Sequence, residues 1–197
     1  MPISIVNNTV IAGGTSIPFE DFPKWHAYHL ERVAGTQQLE RDGAALIGSG
    51  FQFPQLEDFI RAVCRWGGYA GIAGRILNRN SQQAIISSFS STIPAFACHH
   101  PASSALVALN HLSDLGTPSF ASKHLRFLRP DVCPVLDRLL SQSLGYRFTP
   151  VGYQQFSTDC STIAQQLITS GIFQASGKRW GSADVEMSIF ARLHLSH

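Results

Sequence analysis

Along most of the chain, apolar residues recur at helical rather than strand spacing. Leu56, Phe59, Ile60 and Val63 fall on one face of the run from Pro54 to Trp66, and Ala105, Leu106, Leu109 and Leu112 repeat the pattern after Pro101. Prolines open several such runs, at Pro54, Pro101, Pro118 and Pro134. Proline suits a first helical turn because the N–H it lacks would have no intrahelical partner there. The spacing predicts helices over 20–33, 54–66, 68–78, 80–90, 101–115, 118–128, 134–144, 150–170 and 182–194. The run from Ile3 to Ile11 reads as strand, interrupted by Asn7-Asn8 into a short hairpin or ribbon. Gly35 to Gly50 reads as a long connection. The expected fold class is mainly α, one compact domain over 1–197 with a short N-terminal β element, because no repeat, low-complexity tract or linker divides the chain.

Composition narrows the class. Hydrophobic residues make up 44% of the chain and charged residues 14%, too apolar for disorder. No apolar run approaches the ~20 residues a membrane-spanning helix needs. The start, MPISIVNNTVIAGG, lacks the basic and continuously apolar parts of a signal peptide, so a bacterial cytoplasmic location is expected. Cys64, Cys98, Cys133 and Cys160 stand far apart with no CxxC pair, which predicts buried thiols rather than metal ligands. His26 with His29, and His99 with His100, lack a second half-site. No metal and no organic cofactor is expected. Gly-rich phosphate loops and Ser-His-Asp signatures are also missing.

One stretch, SFASKHLRFLRPDVCPVLDRLL over 119–140, carries more chemistry than the rest. Thr117-Pro118 reads as a cap and first turn, and Ser119, Ser122, Lys123 and Arg126 then fall at i, i+3, i+4 and i+7. Such a row offers hydroxyls near a positive helix end and cations beyond, a face suited to a phosphate backbone or, equally, to plain solvation. Lys123, Arg126, Arg129, Arg138 and Arg147 against Asp131 and Asp137 give residues 116–147 a net charge of +3, above the +2 of the whole chain. Asp137 is expected in the first turn of a helix from Pro134, where the helix dipole stabilises its charged form. Paired with Arg129 or Arg138 it would be structural; beside a reacting sugar it would stabilise a developing cation.

The stretch resembles the core of the helix-hairpin-helix superfamily of DNA glycosylases, in particular the bacterial group with an 8-oxoguanine DNA glycosylase fold. The residues that carry the likeness are Ser119-Phe120-Ala121-Ser122-Lys123, Phe127-Leu128, Pro134-Val135-Leu136-Asp137 and Gly145-Tyr146. Weaker similarity extends to Trp66-Gly67-Gly68-Tyr69 and Ala183-Asp184-Val185-Glu186-Met187. The resemblance implies a two-lobed helical fold, base flipping from double-stranded DNA, and loss of the base supported by a carboxylate, here Asp137. A lysine nucleophile in such enzymes maps to Lys123. Leu115-Gly116-Thr117-Pro118-Ser119, however, lacks the second glycine of the hairpin and places Lys123 about one turn into the helix. Lys123 is therefore the nucleophile of a shortened hairpin or a phosphate contact in a purely hydrolytic enzyme. Ser119, Ser122 and Arg126 are expected on the DNA backbone, and Trp66 and Tyr69 at the base by stacking. The expected function is excision of a modified base, an oxidised purine or a hypermodified phage base, by a monomer. The alternatives are a non-catalytic DNA-binding protein of the same fold and a helical interaction domain without DNA affinity.

Overall fold

The computed structural model describes residues 2–196. The chain begins with three antiparallel strands in sequential order: β1 (Ser4–Val6), β2 (Thr9–Ala12) and β3 (Thr15–Pro18). Ser4 pairs with Ile11, and Val10 pairs with Ile17. Both hairpins turn in two residues, Asn7-Asn8 at φ of 47° and 58° and Gly13-Gly14 at 55° and 79°. Left-handed residues at both turn positions match the twist of the strands they join, and asparagine and glycine tolerate them best. The predicted run to Ile11 is thus β1 and β2, and β3 is an addition to it.

After a 3-10 turn at Phe19–Asp21, the helices are α1 (Phe22–Arg32), α2 (Thr36–Ser49), α3 (Phe53–Trp66), α4 (Gly71–Arg79), α5 (Gln82–Ser90) and α6 (Thr92–Ala95). They continue as α7 (Pro101–Leu109), α8 (Ser119–Leu128), α9 (Arg138–Leu144), α10 (Pro150–Thr169) and α11 (Ser182–Phe190), ending in a π turn at Ala191–Leu195. The protein is mainly helical, as expected. Side-chain caps start several elements: Ser81 accepts from Ala84 N–H at 3.2 Å and Thr149 from Gly152 N–H at 3.2 Å, each satisfying an otherwise orphaned donor. Thr117 does not cap α8; its hydroxyl donates to the Asn110 side chain instead.

The largest departure is α2, where a connection was expected. Leu39 and Leu46, one helical face apart, are buried, and the glycines that made the segment read as loop do different work. Gly35 and Gly50 sit outside the helix ends at φ of 85° and 70°. Gly43 lies within it, where an added Cβ would stand 2.1 Å from the Phe127 carbonyl oxygen. The interior glycine is therefore a condition of α2 lying directly on α8, not a helix breaker.

That contact explains the position of α8. It packs against α2, α3 and α7, while α11 packs on α1 and α10, and every residue from Phe120 to Leu128 is buried. One continuous apolar core surrounds it, from Val10 in the sheet to Ile189 in α11. Cys64, Cys133 and Cys160 are buried thiols as predicted; Cys98 is exposed, which corrects that expectation. Burial pushes the Cys64 and Cys133 thiols up to about 12. No described helix is long and apolar enough to cross a membrane.

Candidate functional site

Ser122, Lys123 and Arg126 do not form an exposed face. Ser122 and Arg126 are fully enclosed and Lys123 is 6% exposed. The polar row of α8 points into the protein because the helix is covered on all sides, so it recruits internal partners. Ser122 and Arg126 are thereby removed as DNA-backbone contacts, and Ser119 is half-buried at the edge of the row.

The segment after α8 supplies the first partner. Residues 133–136 are buried and non-helical, and several of their polar groups are claimed. Ser122 Oγ accepts Leu136 N–H at 3.1 Å, Glu186 Oε2 accepts Val135 N–H at 3.3 Å, and Tyr153 donates to the Pro134 carbonyl at 3.0 Å. These bonds stop Pro134 from opening a helix. The chain turns helical three residues later, at Asp137, whose Oδ1 accepts Leu140 N–H at 3.1 Å. Asp137 is the N-cap of α9, not a first-turn residue.

The cap leaves Oδ2 free to face α8, where it meets Lys123 Nζ at 3.4 Å. Neither Arg129 nor Arg138 takes that place, and Arg129 pairs with Asp131 at 2.8 Å. Lys123 also donates to Ser119 Oγ at 3.4 Å and lies 5.2 Å from the Phe120 ring centroid. Its stem rests on the turn after α3: a Cβ at Gly67 would stand 2.8 Å from Lys123 Cδ and 3.0 Å from Phe120. The Trp66-Gly67-Gly68-Tyr69 turn therefore borders the pair. The Lys123 side chain is 8% exposed and that of Asp137 20%, so solvent reaches the pair from the aspartate side.

The two aromatics of that turn divide. Trp66 is built into the fold, donating through Nε1 to Thr36 Oγ1 at 3.0 Å and meeting Phe127 edge-on at 4.9 Å. Those contacts fix the ring, which is half-buried. Tyr69 is 57% exposed, with Arg75 5.5 Å from its ring centroid. An exposed aromatic with a cation on it, two residues from the contact with Lys123, is suited to meet a nucleobase.

Two acidic residues absent from the predicted set complete the interior. Glu40 of α2 holds Arg126 at 2.9 Å. The guanidinium also donates to Met187 Sδ at 3.1 Å and lies 4.4 Å from Phe127 and 5.8 Å from Trp66. Its Nε and Nη1 find no hydrogen-bond partner among the described residues, and the two ring faces offset part of that deficit. Glu186 of α11 is 4% exposed. Burial pushes its carboxyl up to about 8; Asp137 adds to the rise, while Arg126 and Lys123 oppose it. The Glu186 signal lay in the weaker similarity at Ala183-Asp184-Val185-Glu186-Met187, where no role was assigned to it. Glu40 fell in the stretch taken for a connection and carried none.

The arrangement gives a primary amine and a carboxylate in contact, shielded from bulk water on one side and reachable from the other. Among the described residues, no group of three or more histidine, cysteine or acidic side chains is gathered to hold a metal. Comparison with known protein families, curated proteins and solved structures found no match.

Proposed function

We propose that the protein is a DNA glycosylase that excises a modified base through Lys123 and Asp137. The observation that carries this is the 3.4 Å approach of Lys123 Nζ to Asp137 Oδ2, with the aspartate side chain 20% exposed to solvent, together with the motif order around it. Rupture of an N-glycosidic bond leaves oxocarbenium character on the sugar, and a fixed carboxylate stabilises that charge. Lys123 must shed a proton before it can attack, and Asp137 is the acceptor within reach. The amine lone pair then bonds to the anomeric carbon while the bond to the base breaks, its electron pair leaving with the base, which takes the proton from Asp137 and restores the carboxylate beside the sugar. Opening of the sugar gives a Schiff base, from which water releases an abasic site or elimination cuts the strand. In the hydrolytic variant Asp137 directs water and Lys123 serves as its counterion.

Double-stranded DNA reaches the pair from the Asp137 side in this reading, past exposed Arg138 and past Tyr69 with Arg75. The base is an oxidised purine, which means repair, or a hypermodified phage base, which means defence. One observation favours a non-catalytic DNA-binding module instead: the stem of Lys123 is packed on Gly67 and Phe120, as in a structural ion pair. Base release decides. Duplexes with oxidised purines and DNA from phages with hypermodified bases are incubated with wild type and Asp137→Asn, and freed base and abasic sites are counted. Release that disappears in Asp137→Asn is expected; salt-sensitive binding without release on any substrate selects the non-catalytic module.

A further inference from the structure

A cavity of about 640 Å³ opens between α1, α2, the start of α11 and the turns at 130–131 and 174–181. That volume is within the range of small-molecule sites. Two of its wall residues, Glu40 and Met187, are the partners of buried Arg126. The cavity thus lies against the polar row of α8, yet neither Lys123 nor Asp137 lines it.

Most of its charges are already engaged. Glu40 holds Arg126, Asp131 takes a two-pronged bond from Arg129 at 2.9 and 2.8 Å, and Asp184 accepts Gly181 N–H at 2.8 Å. Lys178 and Arg179 are different: both are exposed on the rim, and neither side chain is paired with an acid among the described residues. Deeper in, His26 is 5% exposed, and its Nε2 has no hydrogen-bond partner. Asp184 Oδ1 faces it at 3.3 Å. A buried ring nitrogen held by that contact alone among the described residues is under-satisfied, and a further polar partner would stabilise it. The ring stands nearly edge-on to Trp180, centroids 5.5 Å apart at 71°. Trp180 and the Met187 thioether add flat and polarisable wall beside it.

A matching ligand joins a planar body with a polar edge, for His26, to an anionic end, for Lys178 and Arg179. We propose that this cavity binds a nucleotide, its base against His26 and Trp180 and its phosphate on Lys178 and Arg179. The site is separate from Lys123 and Asp137 and stands whether or not that pair is catalytic. A free mononucleotide and one nucleotide of a strand present the same chemistry, and the test separates them.

Calorimetric titrations of the full chain would use the deoxynucleoside and ribonucleoside monophosphates, the matching nucleosides, inorganic phosphate and single-stranded octanucleotides. At least one monophosphate or strand should saturate one site. Loss of the phosphate should weaken binding roughly tenfold, the order of a charge-assisted contact. Lys178→Glu with Arg179→Glu, on exposed side chains that leave the core untouched, should weaken it by about as much or more. His26→Phe keeps a ring against Trp180, removes both nitrogens and should erase preference among bases. A strand that binds more tightly than any monophosphate identifies the strand as the source; a monophosphate that displaces the strand identifies the free nucleotide. No saturable binding of any nucleotide or strand at millimolar concentration would overturn the proposal. So would binding that the natively folded rim and His26 variants leave unchanged.

Discussion

Replacing Glu186 by glutamine should reverse the pH dependence of stability above neutrality. The folded carboxyl titrates near 8 against 4.5 for an ordinary glutamate, chiefly because it is buried. Folding therefore takes up a proton between those values, and stability is fully present below about 4.5 and is lost as pH rises through about 8. His29 and His124 act in the opposite sense. Burial lowers them to about 3 and about 4 from 6.5, so the stability they allow is present above 6.5 and is lost as pH falls toward those values. Between pH 6.5 and 8 the two unfolded histidines shed the half-proton that each still holds, which offsets Glu186 at 6.5 and little of it by 8. The net slope should steepen from near zero at pH 6.5 to roughly −0.7 kcal/mol per pH unit above 7, a loss of roughly 1 kcal/mol over the interval. Wild-type stability should accordingly peak near pH 6.5. Glu186→Gln keeps an acceptor for Val135 N–H and carries no proton, so its stability should instead rise by roughly 1 kcal/mol over the same interval as the two histidines lose their unfolded-state protons. Urea denaturation at three pH values from 6.5 to 8, for both proteins, reads the slopes directly. A wild-type slope of zero or positive sign above pH 7, or an equal slope in the variant, would refute the account of Glu186.

Gly43→Ala puts a methyl 2.1 Å from the Phe127 carbonyl oxygen and should cost about 3 kcal/mol or more by urea midpoint, because backbone on both sides must move. Ser122→Ala strands the buried Leu136 N–H and should cost about 1–3 kcal/mol in thermal or urea unfolding. Asp137→Ala removes the cap of α9 and the partner of Lys123, and should lose more stability than Asp137→Asn, whose amide oxygen can still accept Leu140 N–H. The difference should be about 1 kcal/mol by the same measurement. Tyr69→Ala, at an exposed ring, should leave stability within about 0.5 kcal/mol of wild type while weakening DNA binding in a fluorescence titration.

Much of the helical content was legible because periodicity and caps agree locally, as in 54–66, where the face of Leu56, Phe59, Ile60 and Val63 is buried throughout α3. Where long-range contacts decide, local signals misled. The stretch around Gly43 reads as a connection until Phe127 is known to cross it, and Pro134 reads as a helix start until Ser122, Glu186 and Tyr153 are seen to hold its segment out of a helix. β3 had a usable signal in Gly13-Gly14, a two-residue hairpin turn. The polar row at Ser119, Ser122, Lys123 and Arg126 was correctly placed on one helix, but a helical wheel does not tell an exposed polar face from one satisfied by acids on other elements. Asp137 and Lys123 were both singled out from the sequence, and their contact was not, since it depends on the turn at Asp137 and on Gly67 making room for the lysine stem.

The most direct test of Lys123 and Asp137 as a reaction centre uses duplex DNA with a preformed abasic site, which removes the question of which base is excised. The protein is incubated with it under borohydride, and the trapped peptide is identified by mass spectrometry. The account predicts a covalent adduct on Lys123, absent in Lys123→Ala and much reduced in Asp137→Asn. Absence of an adduct, or an adduct of equal yield in Lys123→Ala, would contradict the assignment of Lys123 as nucleophile.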